Sequence, residues 1–270
     1  MKSKTKVKIS IVLISIFFLF ILTSVIIFPE ANLINTKDCF ASPSMSYLFG
    51  TDQFGRDVFI RTVIGFRYTF IIALFVQIIS FVIGIVIGII LGYYGGIFDE
   101  LFYHISNFIL SFPIIILAIL VSALTGANIW CLMLIMIVCN VVSNSKIVRS
   151  EIKIIKNADY IKVLRVLGAS DFVIIKNHLL KKCLKMLLPT FALLTGHIII
   201  AISSYSFIGF GVSPPQPEIG NMLKDSLRFI NSSPWLMIFP GLFQFISILL
   251  LLKLSENCKI LLLDCEGSYE

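Results

Sequence analysis

Few side chains in this chain are of types that do chemistry, and fewer are spaced for it. The chain has three histidines, His104, His178 and His197. Of these, His197 alone lies deep in apolar sequence, where an ionisable group is a functional candidate by default. Its imidazole suits a divalent transition metal such as Ni²⁺. It has no second nitrogen or sulfur donor nearby, however, and one histidine is not a metal site. Around it, Thr195, Ser203, Ser204, Tyr205 and Ser206 make this the most polar of the apolar stretches. Hydroxyls at such positions either bond helices together or line a polar path. The six cysteines form no C-x-x-C pair, and neither a disulfide framework nor a zinc pattern emerges. Cys131 and Cys139 sit in apolar sequence, where a thiol acts as a small hydrophobe. An enzyme would need titratable groups converging at one depth, and only His197 is deep.

The elements that must carry these residues are set by composition. Of 270 residues, 58% are hydrophobic and 14% charged, against roughly 25% charged in soluble domains. One soluble core could not hide that much apolar surface, so lipid is the expected solvent. The net charge of +7 reads as basic loops on one side of a membrane, with no nucleic acid implied.

Six apolar runs have the length of spans: Ile9–Phe28, Tyr68–Tyr94, about 103–124 with Asn107 and a kink at Pro113, about 129–145, about 189–210 and about 235–254. The domain organisation that follows is an anchor helix (1–28), an extracytoplasmic segment (29–67), a transmembrane core (68–254) with a long basic loop at 146–188, and a tail (255–270). Gly84, Gly88 and Gly92 recur every fourth residue on one face, which suits close approach of another helix. Asn107 is expected to face other helices.

Charge counting orients the chain. Four lysines precede the first run, ten Lys/Arg fall in 146–188 and two, Lys253 and Lys259, at the C-terminal end, against six in the other connecting segments. The positive-inside rule then puts both termini and the 146–188 loop in the cytosol. Within that loop Ile161, Leu164 and Leu167 recur at intervals of three among Lys162 and Arg165, the pattern of a short amphipathic helix. Asn157 or Asp159 can cap its start, Gly168 suits its left-handed end, and Ser170 or Asp171 can cap a second helix. Such an elbow fits a partner's groove or the lipid headgroups equally well.

Four stretches carry a resemblance that separates these readings. They are Phe49-Gly50-Thr51-Asp52-Gln53-Phe54-Gly55-Arg56-Asp57; Asp159-Tyr160 through Leu167-Gly168-Ala169-Ser170-Asp171; Ser206–Val212 with Pro214–Leu223; and Pro234-Trp235 with Pro240-Gly241. In this order they resemble the second permease subunit of the dipeptide/oligopeptide/nickel branch of ABC importers. The fold this implies is an all-α type I importer permease of about six transmembrane helices. Asp159, Tyr160, Arg165, Gly168, Ala169 and Ser170 match its coupling loop, whose short helix docks on a cytosolic ATPase.

The implied setting is a prokaryotic plasma membrane. The implied partners are a second homologous permease, two ATPase subunits that hold ATP and Mg²⁺, and an extracytoplasmic solute-binding protein. No cofactor is expected on this chain. Gly50, Thr51, Asp52, Gly55, Arg56 and Asp57 form an outer motif whose Asp and Gly content suits a turn ahead of a contact with the binding protein. His197, Ser203, Ser204 and Ser206 are the candidates for the translocation path, with His197 the only candidate metal ligand. Val163-Leu164 replace the family's Ala-Ala, Lys181 its loop proline, and the 253–259 tail departs from the family pattern. On this resemblance nickel, free or chelated, stands slightly ahead of di- or oligopeptides. A structural or signalling paralogue without transport is the remaining alternative.

Overall fold

The structure, a computed structural model, describes residues 2–28, 31–126, 129–212 and 215–266. Ten α-helices follow in order among them: α1 (Lys2–Ile27), α2 (Val58–Tyr94), α3 (Ile97–Ser111), α4 (Ile114–Thr125), α5 (Ile129–Lys156), α6 (Asp159–Val166), α7 (Asp171–Ile174), α8 (Leu180–Ile208), α9 (Ile219–Ser226) and α10 (Trp235–Glu266). A π turn, Ile175–Leu179, joins α7 to α8, so that Asp171–Ile208 passes as one span. Among the described residues five helices are long and apolar enough to cross a membrane, and α3 with α4 makes a sixth if the pair is one broken span.

The helices overrun the apolar stretches read from sequence. The second starts at Val58 instead of near Tyr68, because Asp57 caps it: its Oδ1 accepts from the amides of Phe59 (2.7 Å) and Ile60 (3.1 Å), satisfying donors that the first turn leaves open. Arg61 and Arg67, which masked the start, bond elsewhere. Arg61 donates to Asn32 Oδ1 at 2.6 Å and Arg67 to Leu22 O at 2.9 Å. The fourth apolar run continues as helix to Lys156, well past Ser145. At Pro113 the expected kink is a full break, with 76° between α3 and α4. Pro113 stands at the N-cap of α4, where its missing amide costs nothing. Asn107 is exposed, yet it accepts a bond from Lys146 on α5 at 2.9 Å.

The glycine register does what its spacing suggests. A β-carbon at Gly84 would stand 2.6 Å from Asn144 Cβ, one at Gly88 2.5 Å from Val148 Cβ, and one at Gly92 2.8 Å from Ile152 Cβ. All three contacts fall on α5, again at intervals of four. The side chains of α5 thus press into backbone-deep notches on α2, as small residues permit where lipid supplies no hydrophobic drive.

Two buried clusters result. One joins α1, α2, α5 and α8 through Ile21, Phe66, Val76, Leu132, Ile202 and Tyr205. The other lies at the opposite end of α2 and gathers Ile89, Tyr93, Val148, Ile152, Ile161, Ile174 and Leu179. At 37 residues, α2 is about 55 Å long and touches both.

Candidate functional site

The 157–174 segment is an elbow held on one side and bare on the other. Ile161 and Ile174 are fully buried in the second cluster, and Leu164 and Ala169 pack against it. Filling such a site with an isoleucine contributes about 1.5–3 kcal/mol. On the opposite side Val163, Val166, Leu167 and Phe172 are exposed, Val166 by 87% and Phe172 by 71%. Leu167 therefore leaves the apolar stripe expected of it and joins the outer face. Of the two bulky residues at 163–164, Leu164 turns inward and only Val163 alters the outer surface. Lys181 is exposed.

The elbow's rigidity comes from its glycine. Gly168 has φ +82°, open to glycine at little cost. The amide of Gly168 donates to Arg165 O and that of Ala169 to Leu164 O, both at 3.0 Å, which completes a Schellman closure of α6. The expected side-chain caps are absent. Ala158 occupies the N-cap of α6 and Ser170 that of α7, and neither bonds through its side chain. Asp159 is solvent-exposed and pairs with Lys162 at 2.8 Å. The bond from that ammonium holds its carboxyl below the usual carboxylate range. Tyr160 is partly exposed, its ring beside that of His178 at 6.2 Å between centroids. Burial pushes its phenol above the ordinary value.

The 49–57 motif lies at the far end of α2 and is closed on itself. Asp52 is buried and accepts from the amides of Phe54 (2.9 Å) and Arg56 (3.0 Å) and from Arg56 Nε (2.7 Å), with Arg61 Nε at 3.6 Å. Thr51 donates through Oγ1 to Asp38 O and accepts from Ala41 N. Gly50 and Gly55 hold φ of +73° and +69°, Asp57 caps α2, and Trp235 Nε1 donates to Thr51 O at 3.4 Å. The turn role expected of the motif is visible as a knot that fastens α2 to α10. Next to it Tyr47 donates to Asp38, which raises the Tyr47 phenol above its usual range.

A third feature went unread in the sequence. Glu218, within the third of the four resembling stretches, is fully buried. Its carboxylate accepts from Thr69 of α2 at 3.1 Å, from Ser203 of α8 at 3.2 Å and from Asn221 N at 3.1 Å, capping α9. Gly65 and Gly220 let the segment in: a β-carbon on either would press the backbone of Glu218 or Ser203. The signal was present as hydroxyls within the spans, Thr69 in α2 and Ser203 in the hydroxyl-rich end of α8.

This arrangement splits the four path candidates. Ser203 and Ser206 face inward; Ser206 is buried, and a β-carbon on Gly211 would meet its hydroxyl. His197 is exposed and shares one side of α8 with Ile200, Ser204 and Phe207. Ser204 returns its hydroxyl to Ile200 O at 2.8 Å. No group of three or more His, Cys, Asp or Glu placed to hold a metal occurs among the described residues.

Comparison with known proteins agrees with this architecture. Residues 84–256 match the family described as binding-protein-dependent transport system inner membrane component. The chain is 32% identical to the dipeptide transport system permease protein DppC of Alkalihalophilus pseudofirmus, over 77% of this chain and 68% of that protein. It is 32% identical to the glutathione transport system permease protein GsiD of Shigella flexneri serotype 5b, over 80% and 72%, and 30% identical to GsiD of Escherichia coli O1:K1, with the same coverage. With its all-helical fold and its five or six candidate spans, the chain belongs to the inner-membrane permease family of binding-protein-dependent ABC importers.

Proposed function

We propose that this chain is one of two permease subunits in an importer that takes up small peptides, and that its elbow is the docking lever for a cytosolic ATPase. One observation carries the reading. The elbow is locked to the bundle by Ile161 and Ile174 on one side, while Val163, Val166, Leu167 and Phe172 stand bare on the other. Bare apolar residues on a rigid turn need a partner to cover them, and a helix laid into a groove is the matching geometry. Both termini and the elbow are then cytosolic, in keeping with the basic residues of 146–188. The ATPases hold ATP and Mg²⁺, and this chain binds no cofactor. Arg165, Gly168, Ala169 and Ser170 keep the elbow's shape. Tyr160 and the Asp159–Lys162 pair border its docking face.

The knot end faces outward, toward the solute-binding protein. The exposed side of α8, with His197 and Ser204, faces the second permease and the path between the two. Peptides move ahead of nickel as cargo, since relatives from two transport systems are named for dipeptide and glutathione. Uptake assays with labelled dipeptide, glutathione and Ni²⁺ in cells carrying the full system test the cargo. Saturable peptide uptake is expected, and Ni²⁺ uptake alone would reverse the choice. In proteoliposomes, solute-loaded binding protein should stimulate ATP hydrolysis. A flat response would leave the paralogue without transport as the better reading.

A further inference from the structure

Tyr93, in the last turn of α2, is 3% exposed and is tied to three segments at once. Its hydroxyl donates to the carboxylate of Asp171, the first residue of α7. Its ring lies 5.3 Å from the guanidinium carbon of Arg165 on α6 and 5.5 Å from Lys156 Nζ at the end of α5, both within cation–π range. Its carbonyl accepts from that same Lys156 Nζ. One side chain therefore touches both arms of the elbow and the end of α5. It belongs to the helix that α5 grips at Gly84, Gly88 and Gly92 and that the 49–57 knot holds at its far end.

Apart from the chain's own continuity with α5 and α8, where Asn157 and Ala158 donate backbone bonds to Ile154 and Ile155, the elbow packs on the bundle through apolar contacts of the second buried cluster, which hold distance but not direction. The Tyr93–Asp171 bond is directional, and its acceptor is a carboxylate, the stronger class of hydrogen bond. We infer that Tyr93 is a positioning residue for coupling: it transmits displacement of the elbow to α2 through its hydroxyl on Asp171 and its ring under Arg165. The inference rests on the elbow being the ATPase dock.

The test uses the whole complex, with ATPases and binding protein, carrying Tyr93→Phe, Asp171→Asn or both. Tyr93→Phe keeps the ring beside Arg165 and removes the bond to Asp171, while Asp171→Asn weakens the same bond from the other side. ATPase copurification is expected to stay as in the wild type, with thermal stability lowered only slightly by the lost bond. Peptide imported per ATP hydrolysed should fall about tenfold in Tyr93→Phe, equivalent to about 1.4 kcal/mol of lost coupling. The double variant should be no worse than Tyr93→Phe alone, since two changes to one contact do not add. A purely structural tyrosine would lower stability and leave the peptide-to-ATP ratio alone. An unchanged ratio in both single variants overturns the inference, as does full additivity in the double. Should Tyr93→Phe fail to accumulate, Asp171→Asn carries the same comparison. Failure of the wild type to copurify with ATPases strikes the docking reading instead, whereas normal copurification with unaltered ratios strikes Tyr93 alone.

Discussion

The two ends of α2 treat their polar and apolar groups in opposite ways. At the knot end the motif residues find their partners inside the chain: Asp52 collects two amides and two guanidinium groups, Thr51 bridges Asp38 and Ala41, and Asp57 caps α2. At the elbow end the backbone is closed by Gly168, but four large apolar side chains are left in the open. A motif whose bonds are already made has little left to offer a partner and serves as a fastening. A motif that is stiff yet uncovered is ready to be bound. Resemblance alone ranks both ends as functional signatures, and the bonding pattern tells them apart.

The contrast can be broken at either end. The largest effect is expected for Asp52→Ala, which takes away the buried carboxylate that pairs with Arg56 and Arg61. Removing one partner of such a pair costs about 3–5 kcal/mol, read as a lower midpoint of thermal unfolding in detergent, with ATPase binding retained by what remains folded. Next is Ile161→Ala, the elbow residue that behaves like a knot residue. It should cost about 2–5 kcal/mol and loosen the elbow, seen as faster amide exchange across 157–171. Gly168→Pro should leave membrane insertion intact and abolish ATPase copurification, since proline holds φ near −65° where +82° is needed. Normal copurification would sink the docking assignment. Val166→Asp should weaken ATPase binding about tenfold, by about 1.4 kcal/mol, with an unchanged unfolding midpoint. A shifted midpoint would mean that the outer face is not bare.

The smallest effect concerns pH. Because Lys162 depresses the Asp159 carboxyl, the pair favours the folded elbow above the unfolded carboxylate value, about pH 4. That contribution fades as pH falls through the folded value. Asp159→Asn should remove this pH dependence from amide exchange in α6 and change little at neutral pH.

What could be read from sequence followed from periodicity and from backbone necessity. The glycine triad and the elbow glycine leave a local mark and sit where expected, while the apolar runs mark the middles of the spans and not their limits. The limits of the helices were hidden by Arg61, Arg67, Lys153 and Lys156, charged residues that lower local hydropathy and yet sit on helix. Their partners are distant in sequence, as with Asp99 on α3, which is buried and held by Arg149 and by Lys153 (2.7 Å). Burial of Glu218 was invisible for the same reason: the hydroxyls that satisfy it come from Thr69 and Ser203. The division of Ser203 and Ser206 from His197 and Ser204 depends on which side of α8 meets α2, and that is fixed only by packing.

The three notches of α2 also set the mechanics. Val148 and Ile152 sit over Gly88 and Gly92, and Asn144 over Gly84, like gear teeth one pitch apart. The next equivalent seating along the axis lies four residues away, about 6 Å, and any shorter slide drives a side chain into backbone. The pair has no low-cost intermediate setting, so α2 and α5 travel as one body. Relative motion within this subunit then falls to contacts outside that pair.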